Sequence, residues 1–526
     1  MIKIKSNFRQ IVGVFMPVFS IVLLLASAGW SQSLADYFSV DDIENAARLK
    51  SYHALGNMKM AGLKGTTEIL FKAPDKIRVT LDLGEFKVVQ VFDGRAAFMR
   101  DQNGMVLEMT GSDRKSLVNT AYSIGSSYLL DNRMGGTTVL SGDTLINGCD
   151  YLIFTAVPEQ GDSLWLFYNR DSARIDIALE RVDDILAYTF YMDYRDVDGF
   201  NMPFRYRVES DVEQLNSIID IQEIEINCRV DDSAFVLREI PFARYSFPGD
   251  ADSVVTDFIF HKGHIYLKAS VNGGRAVFFI LDSGAGINTL DRGYAEELGI
   301  EFAGDFATKG VSGYESAAVT PVDSIRIGDI SLYNQTFGVV NVSDFIPLKQ
   351  DQQFGGLLGY DFLALMPVRV DYVRKKLIIY NPEKFVPPNS EFALDFDFAM
   401  KIPVITAVID SVEGRFMVDL GNSLGLILHK SFVDRHNLID GFSDIKELRS
   451  SIGGIGGSAS SFGATAGSMR LGSAKLRNIP ILVAESKGGI IKSREVDGNI
   501  GNFMLQDFLV ILDYSNKKIY IMPADK

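Results

Sequence analysis

Two aspartates in matching turns are the residues whose types and spacing best suit chemistry. One turn reads Asp282-Ser283-Gly284-Ala285 and the other reads Asp419-Leu420-Gly421-Asn422, each directly after an apolar strand-like run. A single turn of this kind indicates only a loop. Two such turns related by symmetry would bring two carboxylates together, and like charges that close cannot both ionise. The pair would share one proton and could activate water for amide hydrolysis.

The two turns lie in a repeat whose landmarks recur in the same order. Each copy continues through a glycine-rich loop, a short apolar-Gly motif and an Asp-Tyr motif followed by paired lysines. The apolar-Gly motifs are Leu357-Leu358-Gly359 and Asn499-Ile500-Gly501. Repeated units must stack or pair to bury their apolar faces. The sequence therefore predicts two related lobes, residues 255–382 and 395–526.

The glycine-rich loops are candidates for segments that close over a substrate. They read Gly310-Val311-Ser312-Gly313-Tyr314 and Gly453-Gly454-Ile455-Gly456-Gly457. Gly313, Tyr314 and Gly456 are therefore predicted, with the turn residues, to form the substrate-binding loops. Glycines at these positions equally suit plain hairpin geometry, and the sequence leaves both readings open.

At these residues the sequence resembles the retropepsin and pepsin clan of aspartic peptidases, in its duplicated, exported bacterial form. The motif Ile280-Leu281-Asp282-Ser283-Gly284-Ala285 matches the family's first motif, and Leu357-Leu358-Gly359 matches its second. The resemblance implies a mainly β, bilobal unit with a cleft between the lobes. It also implies Asp282 and Asp419 as the catalytic pair, with a protein or peptide substrate.

The second lobe departs from the family pattern at two positions. Leu420 stands where the family has Thr or Ser, so one hydroxyl that braces the two loops is missing, and Asn499 replaces an apolar residue. Asp419 is then either a catalytic partner or a structural turn. In the second case Asp282 would pair with its equivalent in another chain, or the protein would bind peptides without cutting them.

The N-terminal half is predicted to be an α+β domain over residues 37–237. A helix from about Asp41 to Leu63 and another from Arg114 to Leu130 precede and interrupt a series of alternating strand-like segments with Asp-Gly turns. This order, with the phrases VFDG and DYRDVDG, resembles the LolA/LolB-like family. The resemblance implies a half-open antiparallel sheet over an apolar cavity, with a lipid or lipoprotein as a possible ligand. Residues 238–254 are predicted to be a linker.

The first 28 residues have the pattern of a cleaved export signal. Three cations precede an apolar run, and Ala26-Ser27-Ala28 has the form of a signal-peptidase site. An uncleaved membrane anchor is the alternative. The sequence therefore places the protein in the periplasm or cell envelope. A formal net charge of −15 argues against nucleic acid as a partner.

Cysteine and histidine give no alternative catalytic or metal site. Cys149 and Cys228 suit either one disulfide or two buried thiols, and the five histidines lack metal-ligand spacing. No metal and no cofactor are predicted. The sequence thus predicts an exported aspartic endopeptidase that uses Asp282 and Asp419. The alternative is a non-catalytic envelope protein that binds peptides, lipoproteins or lipids on a degenerate peptidase scaffold.

Overall fold

The computed structural model describes residues 34–130, 133–240, 244–343, 346, 353–447 and 452–524. The predicted export signal, residues 1–28, lies outside these ranges. Within them, no helix is long and apolar enough to cross a membrane.

The N-terminal domain is one antiparallel sheet of 13 strands that curves around a helix. Helix α1 spans Val40–Arg48 and helix α2 spans Gly111–Ile124. The strands are β1 (Ser51–Met60), β2 (Leu63–Lys72), β3 (Lys76–Asp82), β4 (Lys87–Phe92), β5 (Ala97–Arg100), β6 (Val106–Met109), β7 (Thr137–Ile146), β8 (Cys149–Val157), β9 (Leu164–Asn169), β10 (Arg174–Val182), β11 (Ile185–Val197), β12 (Phe200–Ser210) and β13 (Ser217–Ile226).

Sheet order explains the curvature. The strands run β6-β5-β4-β3-β2-β1-β13-β12-β11-β10-β9-β8-β7, so β1 and β13 lie side by side in the middle. Helix α2 contacts both β3 and β10, which are far apart in this order. The sheet must therefore wrap around α2, which buries Leu117, Val118 and Ala121 against it.

The first lobe is built mainly from short strands and two short helices, α3 (Arg292–Glu297) and α4 (Tyr360–Leu363). Its strands are β14 (Tyr245–Ser246), β15 (Ser253–Asp257), β16 (Ile259–His261), β17 (His264–Val271), β18 (Val277–Leu281), β19 (Thr289–Asp291), β20 (Ala303–Lys309), β21 (Tyr314–Ile327), β22 (Ile330–Val340), β23 (Phe354–Leu358), β24 (Val368–Asp371) and β25 (Lys376–Tyr380). The segment predicted as a linker contributes β14, which pairs with β22, and the start of β15, which pairs with β25.

The second lobe repeats this plan, with helices α5 (Lys430–Arg435) and α6 (Asn502–Leu505). Its strands are β26 (Ala393–Ala399), β27 (Ile402–Ile409), β28 (Val412–Val418), β29 (Leu426–His429), β30 (Ser443–Glu447), β31 (Ile452–Gly454), β32 (Gly457–Leu471), β33 (Ala474–Glu485), β34 (Gly498–Ile500), β35 (Phe508–Asp513) and β36 (Lys518–Pro523). The prediction of a mainly β fold is confirmed.

The two lobes share one sheet and one core. Strand β24 of the first lobe pairs antiparallel with β35 of the second, with Val368 opposite Leu512. Strands β15 and β25 extend this sheet on one side, and β36 and β26 extend it on the other. A continuous set of buried apolar side chains runs from Phe279 in one lobe to Phe416 in the other. Burial across the shared sheet thus fixes how the two lobes face each other.

Candidate active site

The two aspartates leave equivalent strands at the junction of the lobes. Strand β18 runs parallel to β23, and β28 runs parallel to β34. The backbone N–H of Asp282 donates to the carbonyl of Leu358 at 2.9 Å, and that of Asp419 donates to the carbonyl of Ile500 at 3.0 Å. Each aspartate is therefore held at the end of a buried strand by the motif that follows it in the repeat.

Each turn glycine lies against the carboxyl of the opposite lobe. A Cβ on Gly284 would lie 2.7 Å from Oδ2 of Asp419, and a Cβ on Gly421 would lie 2.5 Å from Oδ2 of Asp282. Neither glycine has a positive φ, so close approach and not backbone conformation requires glycine here. The structure brings the two predicted turns together, carboxyl facing carboxyl.

The protonation of the pair is set by enclosure and by mutual charge. The pKa of Asp282 lies well above its ordinary range, first because the carboxyl is enclosed by protein and second because Asp419 is negatively charged beside it. Hydrogen bonds from the N–H groups of Gly284 and Ala285 oppose these effects without cancelling them. Asp282 is therefore the carboxyl of the pair whose surroundings favour the protonated form.

A single hydroxyl braces the two loops. Ser283 is 1% exposed; its Oγ donates to the carbonyl of Val418 at 2.8 Å and accepts from the N–H of Leu420 at 2.9 Å. Leu420, which lacks a hydroxyl, instead points into the core and is fully buried. The loop of the first lobe thus supplies a bracing hydroxyl, and the loop of the second lobe lacks one, as the sequence predicts.

Asn502 adds a second link between the lobes near Leu420. Its Nδ2 donates to the carbonyls of Leu420 and of Gly263 in the first lobe. Its Oδ1 accepts from the hydroxyl of Tyr372, also in the first lobe, at 2.6 Å. The position directly after the apolar-Gly motif of the second lobe therefore cross-links the lobes, a role that sequence reasoning missed.

The aspartates lie in a cavity of about 230 Å³ whose wall combines aliphatic side chains with polar groups. Both lobes and both glycine-rich loops contribute to it, and the turn residues Gly284, Gly421 and Asn422 line it with the aspartates. The aliphatic lining includes Ile280, Val342, Leu357, Ile427, Ile452 and Ile491.

The two glycine-rich hairpins meet over the aspartates. The N–H of Val311 donates to the carbonyl of Ile455 at 2.8 Å, and Ser312 Oγ donates to the carbonyl of Gly456 at 3.3 Å. A Cβ on Gly313 would lie 2.7 Å from the Gly456 oxygen, so the predicted loop residues Gly313 and Gly456 hold the two tips together. They do not line the cavity in this closed arrangement.

The N-terminal domain holds this closure from outside. The turn between β10 and β11 places Asp183 and Asp184 at 2.5 and 2.7 Å from Nζ of Lys309, at the base of the first hairpin. Asp184 also accepts from the N–H of Gly489 at 3.0 Å, and Asp183 accepts from the N–H of Arg494 at 2.7 Å. We call this set of contacts the Asp183–Asp184 junction.

Tyr314 belongs to this junction and not to the cavity wall. The sequence predicts that it closes over substrate, but its hydroxyl donates to Asp184 Oδ1 at 2.7 Å. The pairing explains the difference, because a buried carboxylate in another domain attracts the hydroxyl. Residues 489–494 complete the closure, since Ile490 and Ile491 donate backbone hydrogen bonds to the carbonyls of Gly310 and Val311.

Two histidines line the cavity although their spacing indicated no site. Burial lowers the pKa of both His264 and His429 to about 4. Nδ1 of His429 lies 3.0 Å from the carbonyl of Val496, and its Nε2 has no hydrogen-bond partner in the described part of the chain. No signal in the single sequence distinguishes these positions from core histidines. Among the residues described, no group of three or more potential ligands is arranged to hold a metal, and both cysteines are unpaired.

His429 should make the protein sensitive to acid. Because its folded pKa of about 4 lies below the unfolded value near 6.5, the stability that neutral His429 contributes is present above pH 6.5 and is lost as the pH falls to 4. The loss is about 3 kcal/mol. We expect His429→Asn to flatten the decline of the unfolding temperature between pH 7 and 4. The exposed His436, changed to Asn, is the control, and an equal effect of both changes would contradict the assignment.

Comparison with known families matches part of the first lobe. The family model described as aspartyl protease matches residues 267–362, which include Asp282 and Leu357-Leu358-Gly359. This segment is aspartyl-protease-like, as the sequence predicts. No curated protein matches the chain.

Solved structures similar to this chain include two bacterial proteins. One is a DUF1329 family protein from Desulfovibrio piger, with 16% identity, a TM-score of 0.27, and coverage of 37% of this chain and 95% of that one. The other is a LolA superfamily protein from Nitrosomonas europaea, with 13% identity, a TM-score of 0.29, and coverage of 39% and 98%.

Proposed function

We propose, from the premise of an aspartyl-protease-like first lobe, that the chain is an exported aspartic endopeptidase of the cell envelope that uses Asp282 and Asp419. The observation that carries the proposal is the placement of each carboxyl against the turn glycine of the other lobe. The raised pKa of Asp282 supports it, because burial and the neighbouring Asp419 together favour a protonated carboxyl there. Export rests on the pattern of residues 1–28.

The chemistry needs only these two carboxyls and water. The ionised carboxylate takes a proton from a water molecule while the water oxygen forms a bond to the peptide carbonyl carbon. The protonated carboxyl gives its proton to the carbonyl oxygen. The resulting diol collapses when the first carboxyl gives its proton to the amide nitrogen, the second carboxylate takes a proton from one hydroxyl of the diol, and the C–N bond breaks. No metal or cofactor enters the proposal.

Cleavage of an unfolded protein across pH 3 to 8 tests the proposal. Asp282→Asn and Asp419→Asn should each lower the rate by about 10²–10⁴-fold, because each removes one proton-transfer group. Asp323→Asn, at an exposed position of β21 in the same lobe, is the matched control and should cut at the wild-type rate. If only Asp282→Asn loses activity, the catalytic pair consists of Asp282 from two chains and not of Asp282 and Asp419 in one chain. A folded wild type that cuts nothing at any pH would overturn the peptidase.

The second candidate is ligand binding by the N-terminal domain, with or without peptide cleavage. A cavity of about 340 Å³ opens between helix α2 and the sheet, and its wall is largely apolar with Tyr191, Tyr206 and Glu180 among its polar groups. Such a cavity suits an apolar chain such as that of a lipid or lipoprotein. Mass spectrometry of organic extracts of the purified protein tests this, and the absence of any bound lipid after purification from cells would count against it.

A further inference from the structure

The hydrogen bonds around the two aspartates are unequal, although the turns that carry them are equivalent. Oδ1 of Asp419 accepts from the N–H groups of Gly421 and Asn422 at 2.8 and 3.1 Å. Its Oδ2 accepts from Nδ2 of Asn499 at 2.7 Å. Asp282 accepts from the N–H groups of its own turn, and among the described residues no side-chain amide donates to it.

The amide of Asn499 is oriented by a relay that begins at a backbone group. The N–H of Leu424 can only donate, and it donates to Oδ1 of Asn422 at 2.9 Å. This fixes Nδ2 of Asn422 toward Oδ1 of Asn499, at 2.9 Å. Nδ2 of Asn499 must then face Asp419 as a donor. A flipped amide at either asparagine would set two acceptors or two donors against each other.

Among the described residues of the first lobe, no such relay is formed around Asp282. The residues at the equivalent places in the repeat are Ala285, for Asn422, and Leu357, for Asn499. Both are apolar, and Leu357 forms part of the cavity wall. Asn499, the residue at which the second lobe departs from the apolar-Gly pattern, is therefore also the residue that donates to Asp419.

We propose that Asn499 is a positioning residue that keeps the negative charge on Asp419 and leaves the shared proton on Asp282; this rests on the proposed function. A donor that cannot accept stabilises a carboxylate and disfavours a carboxylic acid at the same oxygen. Asp419 then takes the proton from water, and Asp282 protonates the peptide carbonyl. The pair of equivalent turns thus carries two distinct chemical roles, set by one side chain.

The pH dependence of cleavage by Asn499→Leu, which gives the second lobe the residue of the first, tests the assignment. Loss of the donor should move the acid limb of the pH–rate profile of the pair upward by about one pH unit. Asn422→Ala should move it in the same direction by less, because the amide of Asn499 loses its orientation and not its presence. Asn341→Leu, at an exposed position of the first lobe, should leave the limb unchanged. An unmoved acid limb in Asn499→Leu would overturn the proposal.

A second readout does not depend on cleavage. Thermal unfolding of the wild type, Asn499→Leu, Asp419→Asn and the double variant gives the coupling between the two side chains. The coupling should be present at pH 7 and vanish at a pH low enough to protonate both aspartates, whereas a purely structural contact would keep it. A pH-dependent coupling in a protein that cuts nothing would uphold the role of Asn499 and reject the peptidase. A coupling equal at both pH values would overturn the role.

Discussion

Gly421→Ala should lower peptide cleavage by about 100-fold or more in a protein that remains folded. The added Cβ would lie 2.5 Å from Oδ2 of Asp282, which is well inside van der Waals contact. The carboxyl of Asp282 must then move away from Asp419, and displacement of a reacting group by about 1 Å costs roughly this factor. Gly284→Ala should act in the same way through Asp419. The measurement is the rate of cleavage of an unfolded protein at the optimum pH.

Gly425→Ala is the matched control for this prediction. Gly425 lies four residues further along the same loop, has no positive φ, and its added Cβ would meet no atom of the described residues within 4 Å. The control should therefore cut at the wild-type rate. Retention of more than about a tenth of the activity by Gly421→Ala would show that the two carboxyls do not need their present separation.

Ser283→Ala should destabilise the bilobal unit by about 2–6 kcal/mol. The change leaves the carbonyl of Val418 and the N–H of Leu420 buried without partners, and each unsatisfied group costs about 1–3 kcal/mol. Both groups belong to the loop that carries Asp419, so activity should fall with stability. Differential scanning calorimetry should show a transition lowered by about 5 °C or more.

Ser283→Thr and Ser473→Ala are the controls for the brace. Threonine keeps the hydroxyl and should restore most of the lost stability. Ser473 is an exposed serine of the second lobe, whose hydroxyl makes one hydrogen bond to the carbonyl of Glu391. Removal of an exposed hydroxyl should change the transition by less than about 2 °C. If Ser283→Ala behaved like Ser473→Ala, the loops would be held by packing and not by this hydroxyl.

The repeat made the bilobal part of the fold predictable. The strands that directly precede Asp282 and Asp419 are apolar runs, and the glycines and apolar-Gly motifs that follow in the same order mark equivalent places in two copies. Equivalent copies with one exposed apolar face each must pair, which forces the two turns to face each other. The mainly β class followed from the same alternation and the many turn residues.

The first helix of the domain was predicted too long. Helix α1 ends at Arg48, and Ser51–Met60 forms strand β1 between β2 and β13. The apolar residues Tyr52 and Leu55 fit a helical spacing, but the burial of Tyr52, Ala54 and Met58 follows the two-residue period of a strand. Strand β1 forms because it pairs with β2 on one side and β13 on the other. The local sequence pattern, which also fits a helix, contains no information about these partners.

Contacts between segments that are distant in the sequence could not be predicted from the sequence. Asn499 could be identified only as a weak match to the family motif, because its meaning depends on Asn422 and on the direction of one backbone N–H. Tyr314 could be placed on a hairpin, but its partner Asp184 is 130 residues away in another domain. Hydrogen-bond partners in different domains produce no periodic pattern in the sequence, so the sequence does not predict them.

The Asp183–Asp184 junction connects the wall of the N-terminal cavity to the hairpins over the aspartates. Strands β10 and β11, which carry this turn, also carry Glu180 and Ala187 into the N-terminal cavity. A ligand of that cavity can bind more tightly when the Asp183–Asp184 turn contacts the hairpins than when it does not. The ratio of the two affinities is then the factor by which the ligand shifts the equilibrium between closed and open hairpins. By linkage, a peptide that parts the hairpins changes the affinity for that ligand equally. The peptide affinity of the cavity around the aspartates then depends on how much of the N-terminal cavity is occupied, and the reverse also holds.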